Sequence, residues 1–293
     1  MSLSRAHDRI DEALAHTLSA RRLAGSPPHL VSAVRHAVFP GGGRVRPLLS
    51  LAVARACGMD DPALTLGGAA AVELVHCASL VHDDLPVFDD ASERRGRPTV
   101  HMLFGQQVAL LAGDALIVHA FDAIAEAADR HPARAMAMTR ALVAGVGMPS
   151  GIIGGQAWES EPRIDREAYQ RAKTGALFRA ALQMGALSAG AEAAPWALVG
   201  DRIGLAYQVA DDIHDAVGSG GGKPVGQDER LGRPSAVREL GLAGAVDALR
   251  DEVEAAIQAI PACEGRGELV GLLHDVANRL VPESLLPARR AVG

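Results

Sequence analysis

Two aspartate clusters lie in widely separated parts of the chain, each inside a helix-like apolar segment and each followed by a basic, glycine-punctuated stretch. The first runs Leu80-Val81-His82-Asp83-Asp84-Leu85-Pro86-Val87-Phe88-Asp89-Asp90 and leads into Arg94-Arg95-Gly96. The second runs Tyr207-Gln208-Val209-Ala210-Asp211-Asp212-Ile213-His214-Asp215 and leads into Gly222-Lys223-Pro224. An unpaired carboxylate costs several kcal/mol to bury. A fold that gathers these segments into a core therefore has to supply a cation to both. The neighbouring arginines and lysines point to an anionic ligand held through that cation. A diphosphate bound through divalent metal is the simplest chemistry that fits.

The segments around the clusters read as helices. Alanine and leucine dominate, aromatics are only 3% and runs of β-branched residues are nearly absent, a composition that favours helix throughout. Breaks fall at Gly25 to Pro28, Pro40 to Gly43, Gly58 to Pro62, His131-Pro132, Gly145 to Gly155, Glu161-Pro162, Gly190 to Pro195, Gly218 to Pro224, Gly232 to Pro234 and Pro261 to Gly267. The segments between them have the length of packed helices. No alternating strand signal competes. With no repeat, low-complexity tract or linker, the expectation is one all-α domain over residues 1–293.

A formal net charge of -6 speaks against a nucleic-acid binder, which would carry a basic excess. Cys57, Cys77 and Cys263 are scattered without CxxC spacing and read as buried hydrophobes in a reducing compartment. The charged N-terminus does not read as a signal peptide. Glu73, Asp114, His119 and Asp122 interrupt the most apolar stretches, so no run reaches the roughly 18 apolar residues of a spanning helix. No transmembrane segment and a cytoplasmic location are expected.

Asp211 and Asp215 are four apart and share one helix face, with Asp212 to the side. Mg²⁺ suits that pair, because it takes one or two carboxylates and completes its octahedron with water and phosphate. A lone Asp-Asp-x-x-Asp is more often a solvated acidic face; its duplication with apolar flanks weighs against that. In the first cluster the spacing is Asp83, Asp84, then Asp89, and Pro86 disfavours continued helix. A bulge or helix end there would bring Asp89 roughly where a regular helix places residue 87. Arg44 and Arg46 follow Gly41-Gly42-Gly43, a weak phosphate-loop signal that is first of all a turn. Lys173-Thr174 opens a helical segment, and His76 lies two turns before Asp83 on the same face. Trp158 and Trp196 read as core. No nucleophile elbow, Walker loop or dinucleotide fingerprint is present.

Taken together, these motifs resemble the trans-prenyl diphosphate synthase family, which includes the farnesyl and geranylgeranyl diphosphate synthases. The match extends from Pro40 to Ser235 and is nearest the geranylgeranyl-forming branch of purple-bacterial carotenoid and bacteriochlorophyll pathways. It rests on Gly-Gly-x-Arg-x-Arg-Pro, Asp83 to His101, Gly155-Gln156, Lys173-Thr174-Gly175, Gln208 to Asp215 and Gly222 to Asp228 in the family's order. The resemblance implies a bundle of mostly antiparallel helices around a deep cavity, usually a homodimer. It implies Asp83, Asp89 and Asp211 as main Mg²⁺ ligands, supported by Asp84, Asp212 and Asp215, with three ions per site and Mn²⁺ able to substitute. Arg94, Lys173, Thr174, Gln208 and Lys223 match positions that hold the allylic diphosphate, whether dimethylallyl, geranyl or farnesyl. Arg46, His76 and Arg95 match positions that hold isopentenyl diphosphate. The implied reaction is ionisation of the allylic diphosphate, attack by the isopentenyl double bond, and proton loss to the departed diphosphate.

Three positions depart from the family pattern. Gly43 stands where a lysine is expected to contact isopentenyl diphosphate, Arg233 replaces a lysine, and Glu159 replaces an aspartate. Ala78 and Ser79, just before Asp83, are small where short-product members often carry a bulky aromatic. That favours a C20 over a C15 product; otherwise the cavity floor lies at Leu74 or on a facing helix. A class I terpene cyclase would lack the second aspartate cluster and carry more aromatics. A regulatory subunit would typically have lost one cluster.

Overall fold

Helix starts fall where proline, aspartate and glycine interrupt the alanine- and leucine-rich segments. The computed structural model describes residues 3–39, 41–217 and 235–280. Within them α1 spans Leu3–Thr17, α2 Pro28–Val38, α3 Val45–Ala56 and α4 Pro62–Asp83. After a short hairpin come α5 (Val100–Phe104), α6 (Gln106–Glu126), α7 (Pro132–Val146), α8 (Ile152–Ala157) and α9 (Arg166–Gln170). One π turn, Arg171–Gly175, joins α9 to α10 (Ala176–Ser188); α11 (Ala194–Ala216), α12 (Ala236–Gln258) and α13 (Arg266–Leu280) follow. The all-α expectation holds.

Local chemistry explains the boundaries. Pro28, Pro62, Pro132 and Pro195 sit in first turns, where a missing N–H costs nothing. Asp61 caps α4 by accepting from the Ala63 and Leu64 amides at 3.0 and 3.1 Å. Gly58 and Gly190 follow the ends of α3 and α10 with φ of 82° and 73°, the left-handed geometry that closes a helix. Three features depart from the sequence expectation: the break at Gly105, the π turn, and the hairpin of β1 (Glu93–Arg94) with β2 (Arg97–Pro98). The strands are too short to leave an alternating pattern.

The core is built mainly from small and aliphatic side chains. In α4 Leu64, Ala69, Ala70, Ala71, Val72, Leu74, Val75, Cys77, Ala78 and Val81 are all buried, and the helix packs against α3, α6 and α10. Small residues let helices approach: a Cβ on Gly67 would come within 2.6 Å of the Ala123 carbonyl, and one on Gly185 within 2.3 Å of the Ser50 carbonyl. One hydrophobic cluster runs from Ala6 to Leu273, and a smaller one joins α11 to α12.

Two buried-residue expectations need correction. Trp196 is core at 1% exposure, but Trp158 is only partly buried, on the 3-10 turn after α8. Likewise Cys77 is buried while Cys57 and Cys263 are half-buried. By length and average hydropathy α4 and α6 could both cross a membrane, although neither is an uninterrupted apolar run. Their charged residues break the run without outweighing the apolar ones. In α4, 72% of the apolar window is buried within the bundle; in α6 only 39% is.

Candidate active site

A cavity of about 880 Å³ opens among α4, α6, α7, α8, the π turn and α11. Its wall draws Val75, His76, Ala78, Ser79, Leu80, His82 and Asp83 from α4, and Gln208, Asp211, His214 and Asp215 from α11. Residues remote in sequence thus meet around one space.

At the first cluster α4 ends at Asp83, and the chain turns back on itself. The Asp89 amide donates to the Asp83 carbonyl at 2.9 Å, and Asp90 adopts φ 47°. Pro86, which lacks an N–H, makes this stop natural. Asp83 lines the cavity, whereas Asp84 and Asp89 do not. Asp84 is buried and accepts a fork of bonds from Arg94 Nε and Nη2 at 2.7–3.0 Å. Burial pushes the Asp84 carboxyl up against the opposing pull of Arg94. Burial alone would lower the Arg94 guanidinium, but the bond and charge of Asp84, with Asp83 and Asp89 nearby, hold it above its usual value. Arg94 itself faces the cavity, so Asp84 anchors a basic group of the site.

The hairpin sets the neighbouring arginine. Arg95 and Gly96 both have positive φ, 55° and 71°, between paired Arg94 and Arg97, as a two-residue turn matched to strand twist requires. The Arg95 guanidinium then lies over Gly42, where an added Cβ would come within 2.4 Å of it. Gly43 beside it is exposed, and a methyl group added there would meet only Val45, at 3.4 Å.

Arg44 and Arg46 part company. Arg44 donates to Asp11 at 3.0 Å, Glu73 at 2.8 Å and the Val38 carbonyl at 2.9 Å. It is a buried structural ion pair, not the phosphate-facing group the glycine run suggested. Arg46 lines the cavity, lies 4.2 Å from the Phe178 ring centroid, and keeps a buried Nε with no hydrogen-bond partner. Burial holds the Arg46 guanidinium below its usual value. His76 shares the cavity wall; burial first, then Arg46, Arg95, Arg94 and Arg44, keep it well below the ordinary histidine range and hence neutral.

On α11 the helical period does the sorting. Asp211 and Asp215 line the cavity, while buried Asp212 accepts from Gln208 Nε2 at 3.1 Å and from the Ala236 amide at 2.7 Å, holding the first turn of α12. Thr174 donates to Gln208 Oε1 at 2.8 Å, tying the π turn to α11. Lys173 lines the cavity paired with Glu159. Lys223 and Arg233 lie outside the described residues.

Among the described residues no three His, Cys, Asp or Glu side chains converge on one point. The carboxylates are divided between two helices instead. That donor set fits Mg²⁺, which binds few protein carboxylates and is completed by water and phosphate oxygens. Several lining residues were assigned no role from the sequence: His82, whose ring fills the notch left by Gly113, and His214, although both sit inside the aspartate clusters, with Tyr169 and the apolar Ile117 and Val146. Periodicity on α11 could have found His214, three residues after Asp211. Leu74 is fully buried and does not line the cavity; Val75, Ile117 and Val146 do.

Comparison with known proteins agrees with this architecture. The family model described as polyprenyl synthetase matches residues 27–269. A geranylgeranyl diphosphate synthase of Cereibacter sphaeroides is 51% identical over 94% of this chain and 96% of its own. One of Rhodobacter capsulatus is 48% identical over 93% and 95%. The crystal structure of a Helicobacter pylori geranyltransferase complexed with magnesium and isoprenyl diphosphate superposes with a TM-score of 0.79 at 27% identity, covering 94% of this chain and 97% of that one.

Proposed function

The chain belongs to the polyprenyl synthetase family, and on that premise we propose that it joins isopentenyl diphosphate head-to-tail to allylic diphosphates, giving mainly geranylgeranyl diphosphate. One observation carries the reading: Asp83, Asp211 and Asp215 share a single cavity with Arg46, His76, Arg94 and Lys173 and with an apolar wall. A site for a charged head and a hydrocarbon tail needs that combination.

Asp83 on one helix and Asp211 with Asp215 on the other are the residues that would hold magnesium, in our reading three ions, with Asp89 close behind. When bound, the metal neutralises charge on the leaving diphosphate. Arg94, Lys173, Thr174 and Gln208 bind and orient the allylic diphosphate, so positive charge stands ready where negative charge develops. Arg46, with its unpartnered Nε, and Arg95 bind the diphosphate of the second substrate. Val75, Ala78, Ile117, Val146 and Ile152 exclude water from the reacting carbon. His76 is a poor proton acceptor here, because protonation would bury a charge and place it among four arginines. The departed diphosphate is left as the base.

Tail length follows from the α4 wall. Ala78, at 1% exposure, and Ser79 both border the cavity, and a bulky side chain there would remove about one helical turn, 5.4 Å, of depth. Small side chains suit C20 better than C15. We also infer a homodimer. Leu110, Leu111 and Val118 on α6, with Met136 and Val143 on α7, are large, apolar and about half or more exposed, a surface that a second copy would cover.

Purified protein given Mg²⁺, labelled isopentenyl diphosphate and farnesyl diphosphate should release a linear C20 product and stop when chelator is added. Started instead from dimethylallyl or geranyl diphosphate, Ala78→Tyr should shift the product toward farnesyl diphosphate while leaving ionisation intact. Cyclic hydrocarbon or absence of turnover would overturn the reading.

A further inference from the structure

Lys173 and Glu159 form an ion pair at the cavity wall. The Lys173 backbone belongs to the π turn, and α8 lies directly against it: a Cβ on Gly155 would come within 2.4 Å of the Lys173 amide nitrogen. Glu159 sits one short turn beyond α8. Among the described residues the carboxylate has at least two further donors. Tyr169, itself buried, donates its hydroxyl to Oε1 at 2.8 Å, and Gln156 Nε2 donates to Oε2 at 3.3 Å. The Lys173 ammonium also stands 5.7 Å from the Tyr169 ring centroid.

From this we propose that Glu159 is a resident counter-ion that competes with the diphosphate for Lys173, surrendering the lysine when substrate enters and reclaiming it when inorganic diphosphate leaves. The inference deepens the proposed function and rests on it, since it takes Lys173 as a holder of the allylic diphosphate. The geometry separates such an exchange from a permanent structural pair. A carboxylate that lost its only partner inside a protein would be left uncompensated at a cost of several kcal/mol. Glu159 would keep the Tyr169 hydroxyl and the Gln156 amide, so its release of the lysine is inexpensive. Lys173, with 23% of its side chain exposed, is a flexible point charge able to swing between the two acceptors. Nothing covalent changes; one charge-assisted bond replaces another. Glu159 is thus a positioning residue acting through Lys173.

The test is calorimetric titration of the full-length protein with inorganic diphosphate, with and without Mg²⁺, together with steady-state kinetics. Glu159→Gln keeps the shape and removes the competing charge. Diphosphate should bind about fivefold tighter, the size of one partly screened pair. The KM for the allylic substrate should fall, that for isopentenyl diphosphate should stay, and kcat should fall as product release slows. Glu159→Asp retains the charge and should bind diphosphate as the parent does. Tyr169→Phe removes a donor from the carboxylate, tightens its hold on Lys173, and should weaken diphosphate binding. The signs of the two changes are opposite, which loss of structure alone would not produce. Unchanged or weaker diphosphate binding by Glu159→Gln, or equal movement of both KM values, overturns the inference. If the parent protein itself fails to bind diphosphate, the functional reading falls instead.

Discussion

At the end of α4, Asp83 reaches the cavity from the last residue of a helix that stops there; in α11, Asp211 and Asp215 reach it from within an unbroken helix. The first arrangement depends on a turn closed by the Asp89 amide, a buried Asp84–Arg94 ion pair and the β1–β2 hairpin. The second depends on the helical period, with Asp212 turned away to hold Gln208 and the Ala236 amide. Both deliver carboxylates to one cavity. Yet the first rests on a buried ion pair and the second on the helical period, so the two should fail differently when perturbed.

The largest effect should be the same on both sides. Asp83→Ala and Asp211→Ala should each lower turnover by about two to three orders of magnitude, because each removes stabilisation from the ionisation step. Their melting temperatures should stay near that of the parent. Near-normal kcat in either one would break the symmetry, leaving that cluster without a part in the chemistry.

Stability should separate the clusters. Arg94→Ala leaves Asp84 buried without its fork of bonds and should cost about 3 kcal/mol in denaturant unfolding. Asp212→Asn keeps an acceptor for the Ala236 amide and should cost about 1 kcal/mol. Acidity gives a second readout. Burial already raises the Asp84 carboxyl in the folded state, and Arg94 works against that rise. Without Arg94 the folded carboxyl should rise further, so the folded state binds the proton more tightly than the unfolded one. Arg94→Ala should therefore be relatively most stable below the carboxylate range and lose stability as pH rises through the folded-state value. A loss in Asp212→Asn equal to that in Arg94→Ala would remove the distinction between the two supports.

The smallest effect concerns the loop beside the first cluster. Arg44 is consumed by Glu73 and Asp11, so it does not substitute for the cation missing at Gly43. Gly43→Lys has room for a side chain and should lower the KM for isopentenyl diphosphate severalfold, about 1 kcal/mol for a solvent-exposed charge. A higher KM would show that this loop does not face the second substrate.

Much of the architecture followed from the chain alone. Pro28, Pro62, Pro132 and Pro195 start helices because a proline lacks an N–H wherever it stands. Gly58 and Gly190 end them because glycine tolerates positive φ in any context. Asp211 and Asp215 share a face because the helical period places them so. These are properties of residues and near neighbours. Tertiary structure decided which charges are available. Arg44 and Arg46 stand two apart behind the same glycines, yet one is neutralised by residues from α1 and α4 and the other opens to the cavity. Asp83 and Asp84 are adjacent, yet one lines the wall while the other is anchored by Arg94, ten residues on at the start of the hairpin. The pairing of Glu159 with Lys173 and the entry of Ile117 and Val146 into the wall likewise await the packing of distant helices. The strength of a charge depends on burial and on distance to its partners, and both are set by segments that no local pattern brings together.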